Sequence, residues 1–190
     1  MLELWLIRHG MTEGNKWGRY IGVTDEPLCQ EGIHALKEIK YPPVQKVFSS
    51  PMKRCLETAE LLFSEKDPEI ISELAECNFG LFENKNYKEL DGCEEYQQWI
   101  DSNGTLPFPN GESREEFRKR SLAGLEKVVY TCSVNHISKA ALVMHGGTIM
   151  NIMEACSTEK RSFYDWHVKN GRGYRVLFDE ETGSLQQLDF

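Results

Sequence analysis

Leu2-Glu3-Leu4-Trp5-Leu6-Ile7-Arg8-His9-Gly10 opens the chain, and its reading sets the fold class. From Leu2 to Ile7 the run is apolar apart from Glu3, the pattern of a strand covered on both faces. It then stops at a cation, an imidazole and a glycine. In open α/β sheets, ligands bind just beyond the carboxyl ends of the strands, where these groups fall. A second stretch is built the same way. Lys139 to Met144 is an apolar strand, followed by His145-Gly146-Gly147 and a helix from Thr148.

The segments between these two strands alternate in type. Gln30 to Lys40 carries Ile33, Leu36 and Ile39 at helical spacing, and Pro42-Pro43 ends it. Gln45 to Ser49 reads as a strand. Ser50-Pro51 predicts a helix start, with Ser50 as N-cap and Pro51 at the first helical position. Leu56, Ala59, Leu62 and Phe63 then form one buried face. Glu69 to Ile71 is a third short strand. Residues 72–111 are aromatic and turn-rich, an insertion of the kind that carries specificity. Ser113 and Glu116 form a capping-box pattern before a long helix to about Tyr130. Gly173 to Phe178 and Ser184 to Leu188, joined around Thr182-Gly183, predict a closing hairpin. This alternation predicts a three-layer α/β/α sandwich around a mostly parallel sheet.

At 190 residues, with no internal repeat or linker, the chain reads as a single domain over 1–190, against a prior of ~150 residues per domain. The 72–111 segment would be its cap. Hydrophobic residues make up 40% and charged residues 27%, a globular balance that excludes disorder and coiled coil. No apolar run approaches the ~18 residues of a membrane span. Arg8 cuts the first apolar run too short for an export signal, so a cytoplasmic location is expected. The net charge of −8 argues against nucleic acid and anionic membranes as partners, yet leaves small anionic substrates open. Arg114 to Arg120, interleaved with Glu115 and Glu116, reads as a solvated helix face. The six cysteines show neither Cys-x-x-Cys nor zinc spacing and read as free thiols.

Arg8, His9, Arg54 and His145 all lie where strands end or helices begin. Two arginines, two histidines and helix N-termini suit a tetrahedral anion, and phosphate is the natural one. Neutral imidazole can attack phosphorus, and either histidine could do so on this evidence. The other would share developing charge with Arg8 and Arg54. A departing alkoxide needs a proton, which Glu76 could supply if burial raises its pKa. Glu83, in the same insertion, is the next carboxylate.

Five ordered motifs resemble the histidine phosphatase superfamily, in its phosphoglycerate mutase-like branch. They are Leu6-Ile7-Arg8-His9-Gly10-Met11-Thr12-Glu13-Gly14-Asn15; Tyr20-Ile21-Gly22 with Asp25, Pro27-Leu28 and Gly32; Ser49-Ser50-Pro51-Met52-Lys53-Arg54-Cys55-Leu56-Glu57-Thr58-Ala59; Glu73-Leu74-Ala75-Glu76-Cys77-Asn78-Phe79-Gly80; and Met144-His145-Gly146-Gly147, preceded by Asn110-Gly111-Glu112-Ser113 and Arg120. The resemblance implies that His9 is the nucleophile, becoming phosphohistidine. It implies that Arg8, Arg54 and His145 hold the phosphoryl group and that Glu76 is acid and then base. Asn15, Gly22 and the backbone of Gly146 would contact substrate, with Glu112 and Arg120 structural. No metal or cofactor is expected.

Two positions differ from the branch. Its usual Glu-Gly is Glu83-Asn84 here, and asparagine can hold the left-handed backbone that glycine would. Where mutases resemble one another in Trp-Arg-Arg, this chain has Trp99-Ile100-Asp101. The expectation is therefore a phosphomonoesterase acting on a small phosphorylated metabolite, resembling the branch's small phosphatases, α-ribazole phosphatase among them. The alternatives are a 2,3-bisphosphoglycerate-dependent phosphoglycerate mutase and a non-catalytic phosphate-ligand binding protein. A homodimer is left open.

Overall fold

The computed structural model describes residues 1–189. Six strands form one sheet: β1 (Leu2–Arg8), β2 (Lys46–Ser49), β3 (Glu69–Ile70), β4 (Lys139–Met144), β5 (Gly173–Asp179) and β6 (Ser184–Leu188). Their spatial order is β3-β2-β4-β1-β5-β6. The first four are mutually parallel, and the β5–β6 hairpin adds to β1 through an antiparallel pairing. The six helices are α1 (Glu13–Lys16), α2 (Gln30–Lys37), α3 (Lys53–Leu62), α4 (Glu94–Asp101), α5 (Arg114–Val134) and α6 (Gly146–Cys156). None is long and apolar enough to cross a membrane among the described residues.

Alternation along the central strands produces the layers. Leu2, Leu4 and Leu6 of β1 join Ala140, Leu142 and Met144 of β4 in one core, packed against α5 and α6. Trp5 and Ile7 join Ala141 and Val143 in the other, with Cys55 and Ala59 of α3. Successive strand residues point to opposite faces, so one short apolar run supplies both cores. Burying each leucine contributes about 1.5–3 kcal/mol. The three-layer α/β expectation holds.

Three local expectations need correction. α2 ends at Lys37 rather than Lys40, and Leu36 is its main buried apolar side chain. α3 begins at Lys53 with Met52 as N-cap; Ser50, whose Oγ accepts from the Met52 N–H (3.4 Å), lies ahead of the cap. Its buried face is Arg54, Cys55, Thr58 and Ala59, shifted from the apolar stripe because a polar site lies beneath it. The α5 capping box is present as expected, with Ser113 Oγ accepting from the Glu116 N–H and the Glu116 carboxylate accepting from the Ser113 N–H.

Between β3 and α5, two 3₁₀ turns and α4 surround an aromatic cluster. Tyr20, Phe79, Phe82, Tyr96, Trp99 and Phe108 meet edge-to-face, tilted or stacked at centroid distances of 5.0 to 6.4 Å. Asn84 lies at φ 57°, the left-handed conformation expected for it.

Candidate active site

Sheet register assembles the site. Arg8, the last residue of β1, pairs with Met144, the last of β4, and Ser49 of β2 pairs with Val143. The His9 N–H donates to the Met144 carbonyl (2.9 Å) and the Ser50 N–H to that of Val143 (2.9 Å). Parallel strands run out at one edge, so His9, Ser50 and His145 emerge together. The two imidazoles meet edge-to-face, 5.1 Å between centroids.

His9 is buried, and its Nδ1 lies 2.6 Å from the Gly10 carbonyl. A carbonyl only accepts, so Nδ1 carries the proton and Nε2 presents its lone pair. Burial, then the charges of Arg54 and Arg8, hold His9 well below the usual imidazole pKa. The neutral, nucleophilic form therefore prevails at neutral pH. The loop bearing it is fixed from two sides. Thr58 Oγ1 accepts from the Gly10 N–H (2.9 Å), and Asn170 Nδ2 donates to the carbonyls of His9 (3.1 Å) and Gly10 (3.3 Å).

His145 is N-cap of α6 and fully buried. Arg54 Nε donates to its Nδ1 (3.3 Å), which leaves the proton on Nε2, donated to Ser50 Oγ (2.7 Å). Ser50 thus holds a histidine rather than a helix end. Arg54 is itself fully buried, giving further N–H groups to the carbonyls of Thr24 (2.7 Å) and Gly22 (2.8 Å). Arg54 and His145 thus face each other and the backbone. Burial, with Arg54 next, depresses the pKa of His145 too.

Arg8 differs. Its Nη1 donates to the Val168 carbonyl (2.8 Å), while its buried Nε has no partner and lies over Gly146. Arg8, Glu76, Gly146 and Gly147 form the polar end of a cavity of about 280 Å³. Glu76 accepts from the Cys77 N–H (3.0 Å) and, through Oε2, from the Gly147 N–H (3.0 Å) at the start of α6. Burial raises its pKa, outweighing those two bonds and the charges of Arg54 and Arg8. A carboxyl that holds its proton to higher pH than an ordinary carboxylate is better suited to donate one. A β-carbon on Gly147 would strike Glu76 Oε1, so glycine is what allows this approach.

The other expected residues hold the frame. Asn15 Oδ1 accepts from Asn170 Nδ2 (3.0 Å) and serves the α1 capping box. The Gly22 N–H is taken by Glu83 (2.7 Å) and its carbonyl by Arg54, so Gly22 offers no free donor to a substrate here. Glu83 also accepts from the N–H groups of Thr24 (2.8 Å) and Phe79 (3.3 Å), which makes it a loop clamp and not a spare acid. Arg120 is not a solvated charge. It pairs with both Glu112 oxygens (2.9 and 2.7 Å) and donates to the carbonyls of Glu73, Ala75 and Glu76. Arg114 lines the cavity, stacked over Phe163 at 5.2 Å. Outside this site, Glu13, Cys29 and Glu31 lie within metal-ligating reach of one another, but Lys16 already pairs with both carboxylates.

Sequence reasoning missed Ser50, Thr58, Asn170 and His167. Thr58 stands one helical turn after Arg54, a spacing that could have signalled it. Asn170, and His167 with its Nε2 3.4 Å from Arg8 Nη1, carry no local signal.

A neutral imidazole, an unpartnered arginine N–H and a carboxyl of raised pKa lie together at one sheet edge, an arrangement suited to a tetrahedral anion. Residues 4–189 match the histidine phosphatase superfamily (branch 1), and the chain belongs to that family. It is 34% identical over 128 residues to an adenosylcobalamin/α-ribazole phosphatase of Salmonella typhimurium, a stretch covering 63% of each chain. Among solved structures it resembles the α-ribazole phosphatase of Shigella flexneri, with TM-score 0.81 and 25% identity over 100% of this chain and 96% of that one. It likewise resembles a phosphoglycerate mutase of Thermus thermophilus, with TM-score 0.72 and 31% identity over 100% and 99%.

Proposed function

We propose that this chain is a cytoplasmic phosphomonoesterase working through phosphohistidine on a small phosphorylated metabolite, in the manner of α-ribazole phosphatases. The observation that carries the reading is the His9 ring, with its proton fixed on Nδ1 and Nε2 free beside Arg8. Nε2 attacks phosphorus as the ester P–O bond breaks, and the proton of Glu76 goes to the leaving oxygen. Arg8 Nε and the N-terminus of α6 receive the phosphoryl charge. Arg54 and His145 are poised to turn donors toward it once it arrives. Water then attacks phosphorus, Glu76 takes its proton, and the P–N bond breaks to restore His9 and release phosphate. Every group named comes from one chain, so the chemistry does not require a homodimer. All six cysteines are free thiols, which suits a reducing compartment.

Hydrolysis is favoured over mutase transfer by the cavity wall. Trp99 stacks on Phe108 at 5.1 Å in that wall, and the wall's Arg114 is paired with Glu154 (3.1 Å) and lies over Phe163, so a glycerate carboxylate would compete for an arginine already engaged. His9→Ala should abolish acid-labile labelling by a radioactive phosphomonoester while the protein stays folded. Undiminished labelling would move the nucleophile elsewhere. No labelling of the unaltered protein would favour a binding protein, and exchange between 2- and 3-phosphoglycerate outpacing hydrolysis would favour a mutase. A panel including α-ribazole phosphate ranks the substrates.

A further inference from the structure

Two residues that line the Glu76 cavity each carry a buried, unpartnered polar atom and play no part in the phosphoryl chemistry. Asn151, on α6, is fully buried, and its Oδ1 has no hydrogen-bond partner. Trp99, on α4, has a buried Nε1–H that likewise meets no acceptor. Both residues line the cavity, one from the core layer and one from the 72–111 segment.

The orientation of the Asn151 amide follows from its neighbours. Ser121 Oγ donates its one proton to the Phe117 carbonyl (2.8 Å), so toward Asn151 it can only accept. Asn151 Nδ2 is therefore the atom on Ser121 (3.3 Å), and Oδ1 is the free acceptor. Asn151 lies four residues after Gly147, whose N–H holds Glu76, and both line the cavity. Four residues on one helix face put it about 6 Å along the axis from the anchor of the acid.

We propose that Asn151 is a specificity-determining residue that selects leaving groups bearing a hydrogen-bond donor on an aromatic or cyclic apolar body. The proposal rests on the phosphomonoesterase reading and names the substrate class that reading leaves open. A buried acceptor without a partner carries a desolvation cost, and a donor of the substrate removes it. Trp99 Nε1–H plays the converse part for an acceptor on the same group. A site built this way discriminates against an analogue lacking the donor.

Benzyl phosphate, its three hydroxy isomers and the three matching methoxy isomers test this, since methylation removes the donor and keeps the ring. With the unaltered protein, one hydroxy isomer should show kcat/KM roughly 10–100-fold above its methoxy partner. Asn151→Leu should erase that preference and leave p-nitrophenyl phosphate turnover within a few-fold. Equal rates for every hydroxy–methoxy pair in the unaltered protein overturn the proposal even if the variant fails to fold. So does a preference that survives in folded Asn151→Leu. Failure of the phosphatase reading shows separately, as no turnover of p-nitrophenyl phosphate. Calorimetric binding of the same pairs then decides: a preferred hydroxy isomer supports the subsite, and equal affinities reject it.

Discussion

Glu76 and His9 are driven by burial in opposite protonation senses, and both shifts suit the proposed reaction. Desolvation disfavours charge on either group, so the carboxyl keeps its proton above the ordinary carboxylate range and the imidazole loses its proton below the ordinary histidine range. The reactive form has neutral His9 and protonated Glu76. Activity should fall on the acid side as His9 protonates, at a pH below 6.5, and on the alkaline side as Glu76 ionises, at a pH above 4.5. Glu76→Gln should remove the alkaline limb of kcat/KM that reports the acid and leave the acid limb. In single-turnover measurements it should slow phosphorylation of His9 by alkyl phosphates far more than by p-nitrophenyl phosphate, whose leaving group hardly needs a proton. Equal slowing for both would leave Glu76 a merely orienting carboxylate. Glu83 could not replace it, since its oxygens already hold three backbone N–H groups.

Among the elements, α3 couples Arg54 to the loop that bears His9. Thr58 donates to the Arg54 carbonyl (2.6 Å) within the helix while accepting from the Gly10 N–H. Thr58→Val keeps the shape and leaves the buried Gly10 N–H unpaired, at a cost of about 1–3 kcal/mol. Each kcal/mol lowers Tm by roughly 2–4 °C in a chain of this size. Thr58→Ser should recover most of the loss, because the hydroxyl returns. Thermal unfolding checks both, and an unchanged Tm in the valine variant would mean that water or a loop shift satisfies Gly10. Ser50 teaches the same lesson about local signals. Ser-Pro before a helical pattern favours an N-cap, yet here the tertiary demand of a buried His145 Nε2–H outweighs the cap, and α3 starts at Lys53 uncapped by a side chain.

For the molecule as a whole, the decisive joint lies between the sheet core and the 72–111 segment that carries the acid. Arg120 makes that joint by bridging Glu112 and the carbonyls of Glu73, Ala75 and Glu76. Lysine cannot span that fork from one ammonium. Arg120→Lys should therefore speed limited proteolysis within 72–111 and cut alkyl phosphate turnover more than p-nitrophenyl phosphate turnover. Unchanged proteolysis and rates would place the joint elsewhere, in Glu83 or the aromatic cluster. The sequence by itself determined the alternation of elements, the two strands ending in histidine and the identity of Arg8, Arg54 and Glu76. Those signals are local: apolar periodicity records which faces are covered, and a strand end marks where a sheet binds. Tertiary structure alone decided the rest. The His9 tautomer depends on a carbonyl that only a folded loop presents. Asn170, which steadies that loop, is 161 residues from His9 and reaches it only because β5 lies beside β1. The hydrogen bonds that join Gly22, Arg54 and His145, and the Arg8 Nε left unpaired, are likewise products of the folded arrangement. Which donors stay free is a property of every neighbour at once, and no stretch of sequence encodes it.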